Sequence, residues 1–132
     1  MRWLTLAAWL LTAGGGSVLL GAWVRHRGPS QTEGLRPTRL VPHVALAVTG
    51  LLVWVAYLVW AETWLAWLAV GLLVLVAAIG AALFAIHWRG RTRADHTTVP
   101  AEASFPLPVV LGHGLLGATT LVLALLTATG IG

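Results

Sequence analysis

WLAWLAVGLLVLVAAIGAALFAIHW, residues 64–88, runs without an acidic residue, a lysine or an arginine, and stops at Arg89. A helix crosses a hydrocarbon core of about 30 Å with roughly 20 mainly apolar residues. Because a helix satisfies its own backbone polar groups, such a run reads as a membrane span. Three more stretches read the same way: Trp3 to Val24, Leu40 to Trp60 and Pro106 to Ile131. Together they take up 94 of the 132 residues and leave no segment long enough for a soluble domain of useful size. The expected fold is therefore an all-α integral membrane four-helix bundle, up-down-up-down. It forms one transmembrane domain over 1–132 with both termini outside.

Composition agrees with that reading. The chain is 58% apolar and 9% charged, against about 25% charged for soluble domains. Cysteine is absent, which excludes disulfides, thiolate-held clusters and thiol redox chemistry within the chain. All eight basic residues are arginine, and Ala, Leu, Val and Gly dominate. This is the habit of a GC-rich bacterial genome, and it makes the bacterial inner (cytoplasmic) membrane the expected location. The net charge of +4 lies at the helix ends, so the expected partner is the anionic lipid bilayer and not nucleic acid.

Arginines set the orientation. Arg25, Arg27, Arg36 and Arg39 lie between the first and second spans, and Arg89, Arg91 and Arg93 between the third and fourth. The excess of positive charge on cytoplasmic loops makes 25–39 and 89–105 cytoplasmic. The turn Ala61-Glu62-Thr63 has no basic residue and is flanked by Trp60, Trp64 and Trp67, which suit an outer aromatic belt together with Trp3, as Trp23 and Trp88 suit the inner one. Arg2 is the one dissenter. Arg2 followed by an apolar run also has the outline of an export signal, but the run exceeds the usual 7 to 15 residues of such a region. Cleavage there would carry four arginines across the membrane, so the first span is expected to stay.

Turn formers Gly28-Pro29-Ser30, Gly34 and Pro37 make the first loop irregular. Pro42 suits the first turn of the second helix, and Ser104 with Pro106 and Pro108 suits the start of the fourth. The turn at Glu62 is so short that the second and third helices form an antiparallel hairpin. Helical spacing suggests four inward stripes: Gly14, Ser17 and Gly21; His43, Ala47, Gly50, Trp54 and Tyr57; Gly80, Phe84 and His87; and His113, Gly117, Thr120, Ala124 and Thr127. Small residues at such positions let helix backbones approach, which by itself explains the stripes.

The histidines are the main chemical clue. His43, His87 and His113 all fall in the leaflet next to the arginine loops, whereas His26 and His96 belong to the polar loops as solvated side chains. Ionisable residues in spans tend to mark sites, and neutral imidazole ligates metals and haem iron. In an up-down bundle the second and fourth helices are diagonal, so His43 and His113 face each other across the core. Gly21 and Gly80 lie on the two remaining helices at the same end. Arg25, Arg39 and Arg89 lie at the adjacent surface, where arginine can pair bidentately with carboxylates.

On these residues the chain resembles the four-helix core of membrane b-type cytochromes. In that family histidines on two diagonal helices ligate haem, and glycines on the other two make room for it. The resemblance implies one haem b held by His43 and His113, beside Gly21 and Gly80, with propionates paired to Arg25, Arg39 and Arg89. It implies electron transfer or sensing from one side, since the chain lacks the outer histidines that a second haem needs. The general plan is also similar to that of small four-span membrane proteins of actinobacteria, which implies no activity.

Three alternatives stand beside haem. A zinc or copper ion could use His43, His113 and His87 together. With no cofactor, the protein would be a structural or assembly subunit packing on partner membrane subunits or on copies of itself. An action on lipid or another hydrophobic molecule is the third, but no nucleophile triad, phosphate loop or carboxylate pair marks an enzyme. Depth bears on the haem reading. Helices starting at Leu40 and Pro106 put His43 about 4 to 5 Å deep and His113 about 10 Å deep, at 1.5 Å per residue.

Overall fold

A computed structural model describes residues 1–26, 28–30, 35–92 and 104–131. Arg27, Gly34, Arg93 and His96 lie outside the described residues. The chain forms four long helices: α1 (Arg2–Arg25), α2 (Pro37–Trp60), α3 (Thr63–Thr92) and α4 (Leu107–Ala128), with a short 3-10 turn at Gly28–Ser30. Each of the four is long and apolar enough to cross a membrane, so the protein is a small four-span integral membrane protein.

The helices pack antiparallel, most extensively α2 on α3 and α1 on α4, then α3 on α4, and least α1 on α2. In this ring α2 stands diagonal to α4 and α1 diagonal to α3. The hairpin between α2 and α3 turns on Ala61 and Glu62 alone. Ala61 accepts the left-handed conformation at φ 57°, at a cost of roughly 1–2 kcal/mol for a residue with a Cβ.

Four boundaries differ from the sequence reading. α2 begins a turn earlier than Leu40 because Pro37, with φ already helical, opens it after Arg36. Pro42 consequently sits inside the helix, where its missing N–H leaves the Thr38 carbonyl without the usual intrahelical donor. Ser104 does not cap α4: the N-cap is Pro106 in extended conformation, and no side chain caps the helix. α4 stops at Ala128 rather than Ile131. Gly130 takes φ +76°, and Gly130 N–H donates to the Thr127 carbonyl while Ile131 N–H donates to that of Leu126. These are the two bonds of a glycine-terminated helix end. α3, in turn, runs past Trp88 to Thr92.

Inside the bundle two apolar clusters are stacked along the helix axes. The one at the α2–α3 turn end gathers Trp9, Trp54, Ala66, Ala69, Val70, Leu73, Ala124 and Ala128. Trp9 and Trp54 pack with ring centroids 6.2 Å apart, and Trp9 lies over Gly50, where a Cβ would stand 3.0 Å from its ring. At the arginine end, Ala22, Trp23 and Leu83 pack with Leu35 and Phe105, two residues that immediately precede α2 and α4. Trp23 is thus a buried side chain and not an interfacial one. Its indole N–H donates to the Leu35 carbonyl at 2.8 Å, pinning the first connection onto the bundle.

Candidate histidine site between two glycine-bearing helices

Between the two apolar clusters lies a polar layer. His43 is the seventh residue of α2 and His113 the seventh of α4. With the earlier start of α2, both lie about 9 Å from their helix starts at 1.5 Å per residue. The difference in depth expected from the sequence disappears. The two rings meet across the diagonal with centroids 6.3 Å apart, edge to face at 71°.

Each imidazole is held in the same way by a different helix. His43 Nδ1 lies 3.1 Å from the Val76 carbonyl oxygen of α3, and His113 Nδ1 lies 2.9 Å from the Thr12 carbonyl oxygen of α1. A carbonyl only accepts, so each Nδ1 carries a proton, and in a neutral imidazole it is then Nε2 that holds the lone pair. The glycine one turn further on then lies under the ring. A Cβ at Gly80 would stand 3.1 Å from His43 Cε1, and one at Gly16 would stand 3.0 Å from His113 Cε1. Thr12 and Gly16 on α1 therefore repeat what Val76 and Gly80 do on α3.

The inward faces are only partly those expected. The stripe on α4 is as read, with Thr120 and Ala124 fully buried, and α2 buries Gly50 and Trp54. On α1, however, Gly14 and Ser17 are exposed, and nothing lies within 4 Å of a Cβ at Gly14 or Gly21. The face toward α4 carries Thr5, Thr12, Gly15 and Gly16 instead. Thr12 and Thr120 hydroxyls approach to 3.1 Å, and those of Thr5 and Thr127 to 3.4 Å. Thr12 and Thr120 also donate to the carbonyls of Ala8 and Leu116. Two protons serve three bonds, so one of the three is unmade at any instant. The heptad spacing of Thr5 and Thr12, extended by Gly16, was the signal in the sequence. The triple glycine Gly14-Gly15-Gly16 left the register ambiguous. Phe84 also faces outward, its ring tilted against Trp88 with centroids 6.0 Å apart.

His87 does not join the pair. It is buried at the arginine end, with its ring stacked on Phe105 at 5.8 Å and 23°. Among the described residues, no group of three or more His, Cys, Asp or Glu side chains gathers as a metal site. Of the three histidines expected for zinc or copper, the structure brings the rings of His43 and His113 together. Gly80 likewise holds the His43 ring rather than room for a macrocycle, whereas Gly21 faces open space. Arg25 ends α1, and Arg39 and Arg89 are exposed at the same end of the bundle.

Chemically, the layer offers two imidazoles, from α2 and α4, whose rings meet. A bare zinc ion takes four ligands, at least three of them from protein even in open sites. A haem iron would ask the protein for fewer ligands, and His43 and His113 are the residues that would hold it. Comparison with protein-family models, curated proteins and solved structures gives no match to this chain.

Proposed function

We propose that the protein binds one b-type haem between His43 and His113 and uses it for one-sided electron transfer or sensing. In this reading the arginine end faces the cytoplasm of a bacterial inner membrane. The observation that carries the proposal is the matched pair of imidazoles. They are diagonal, level in depth and tied through Nδ1–H to backbone carbonyls, so that both Nε2 atoms are available as ligands. Hydrogen-bonding of the remote ring nitrogen orients an imidazole and raises its basicity as a ligand.

When bound, haem would supply the one-electron chemistry that no side chain of this cysteine-free protein provides. The protein's own contribution is positional. Val76 and Thr12 hold the tautomers, Gly80 and Gly16 let the rings lie against α3 and α1, and the apolar clusters on either side exclude water. Arg25, Arg39 and Arg89 supply charge for the propionates. The outer half holds tryptophans and no histidine, which is why the proposed redox path is one-sided.

The test is the absorption spectrum of protein purified from membranes and supplied with haemin. A Soret band is expected, lost in His43→Ala and in His113→Ala and kept in His87→Ala. A colourless wild-type protein that takes up no haemin overturns the reading. The two histidines would then act as interhelical hydrogen-bond donors in a packing subunit.

A further inference from the structure

At the end of the bundle opposite the arginine loops, all four helices contribute to one half-open cavity of about 370 Å³. Arg2 from α1, Tyr57 from α2, Thr63 and Ala66 from α3 and Thr127 from α4 line it. Arg2 sits a full bundle length from the other arginines of the helix ends. It also opens a helix with no acidic residue in its first turn, where a cation opposes the macrodipole. Both features disfavour a positive charge here, so the charge calls for a counterpart. Among the described residues no acidic side chain lines the cavity.

The walls are held rigidly. Trp54 is fully buried, and its indole N–H donates to the Arg2 carbonyl at 3.3 Å, fixing the Arg2 backbone to the core. The Tyr57 ring packs on Trp54 with centroids 5.1 Å apart. Tyr57 thereby lines the cavity from a fixed ring, together with Arg2. Thr127 donates its own proton to the Leu123 carbonyl at 2.8 Å, and Arg2 and Tyr57 are among the lining residues that can donate to a ligand.

We propose that this cavity binds an oxyanion, the phosphate or carboxylate of a small molecule or of a lipid headgroup. Arg2 is its bidentate partner and the Tyr57 hydroxyl its second donor. The site is independent of the haem reading and lies at the other end of the molecule.

The test uses the full chain in detergent, titrated with glycerol 3-phosphate and with succinate and read by calorimetry. In parallel, the chain is reconstituted in phosphatidylglycerol–phosphatidylcholine vesicles, and retained lipid is measured after re-extraction. Saturable binding of either soluble probe supports a free ligand, and selective retention of phosphatidylglycerol supports a headgroup. In each case Arg2→Gln is expected to weaken binding about tenfold or more, as loss of a charge-assisted pair does. Tyr57→Phe, which keeps the ring against Trp54, is expected to weaken it several-fold with an unchanged circular dichroism spectrum. Absence of saturable binding and of lipid selectivity in the wild type overturns the proposal, as does binding that neither substitution changes.

Discussion

At the scale of single residues, the chemistry of the polar layer depends on absent side chains as much as on present ones. His43 and His113 reach carbonyls on neighbouring helices because Gly80 and Gly16 have no Cβ to hold the rings off. A branched side chain at either glycine would overlap imidazole atoms in a packed interior that yields little. Gly16→Val and Gly80→Val are therefore expected to reduce haem content several-fold, while Gly14→Val, at an open position, leaves it near wild type. The measurement is the ratio of Soret to protein absorbance at equal expression. The histidines themselves were legible in the sequence as a diagonal pair. The glycines were legible only on α3, because three consecutive glycines on α1 offer no periodicity from which to choose Gly16.

At the scale of the helix, the seam between α1 and α4 is a polar ladder of Thr5 with Thr127, Thr12 with Thr120, and the Thr12 carbonyl with His113. Side-chain hydrogen bonds between membrane helices contribute about 0.6 kcal/mol on average, because the separated helices find other partners. A double-mutant cycle of Thr12→Val and Thr120→Val is expected to give a coupling near that value in reversible unfolding from mixed micelles. A coupling indistinguishable from zero would mean that the hydroxyls keep to their own i−4 carbonyls. Helix existence was plain from apolar run length. Helix starts were not, because Pro37 and Pro42 both suit a first turn, as do Ser104 and Pro106. Only the burial of Leu35 and Phe105 just ahead of the helices distinguishes the true starts.

At the scale of the whole molecule, arginine placement is the basis for orientation. In the proposed orientation, with the loops after α1 and α3 in the cytoplasm, the Ala61–Glu62 turn and the proposed oxyanion cavity face outward. Since the chain has no cysteine, one introduced thiol reports its own side without ambiguity. Glu62→Cys is expected to react with an impermeant maleimide on intact cells. Thr38→Cys, at an exposed position near the start of α2, is expected to react only after permeabilisation. The reverse pattern would move the histidine layer to the outer leaflet and leave its internal geometry unchanged.

The amino-acid sequence by itself determined that this chain is four apolar helices, and that its charge lies at the ends of the bundle. Span length and hydropathy are local quantities, set by the mismatch between backbone polar groups and hydrocarbon. It also made α2 and α4 diagonal, because short connections force neighbours to be antiparallel. Only the tertiary structure decided which face of each helix turns inward, that His43 and His113 share one level, and that His87 stacks on Phe105 at the arginine end. Those outcomes follow from side-chain volume and hydrogen-bond demand between helices. In a chain so uniformly apolar, helical periodicity distinguishes lipid from protein only weakly.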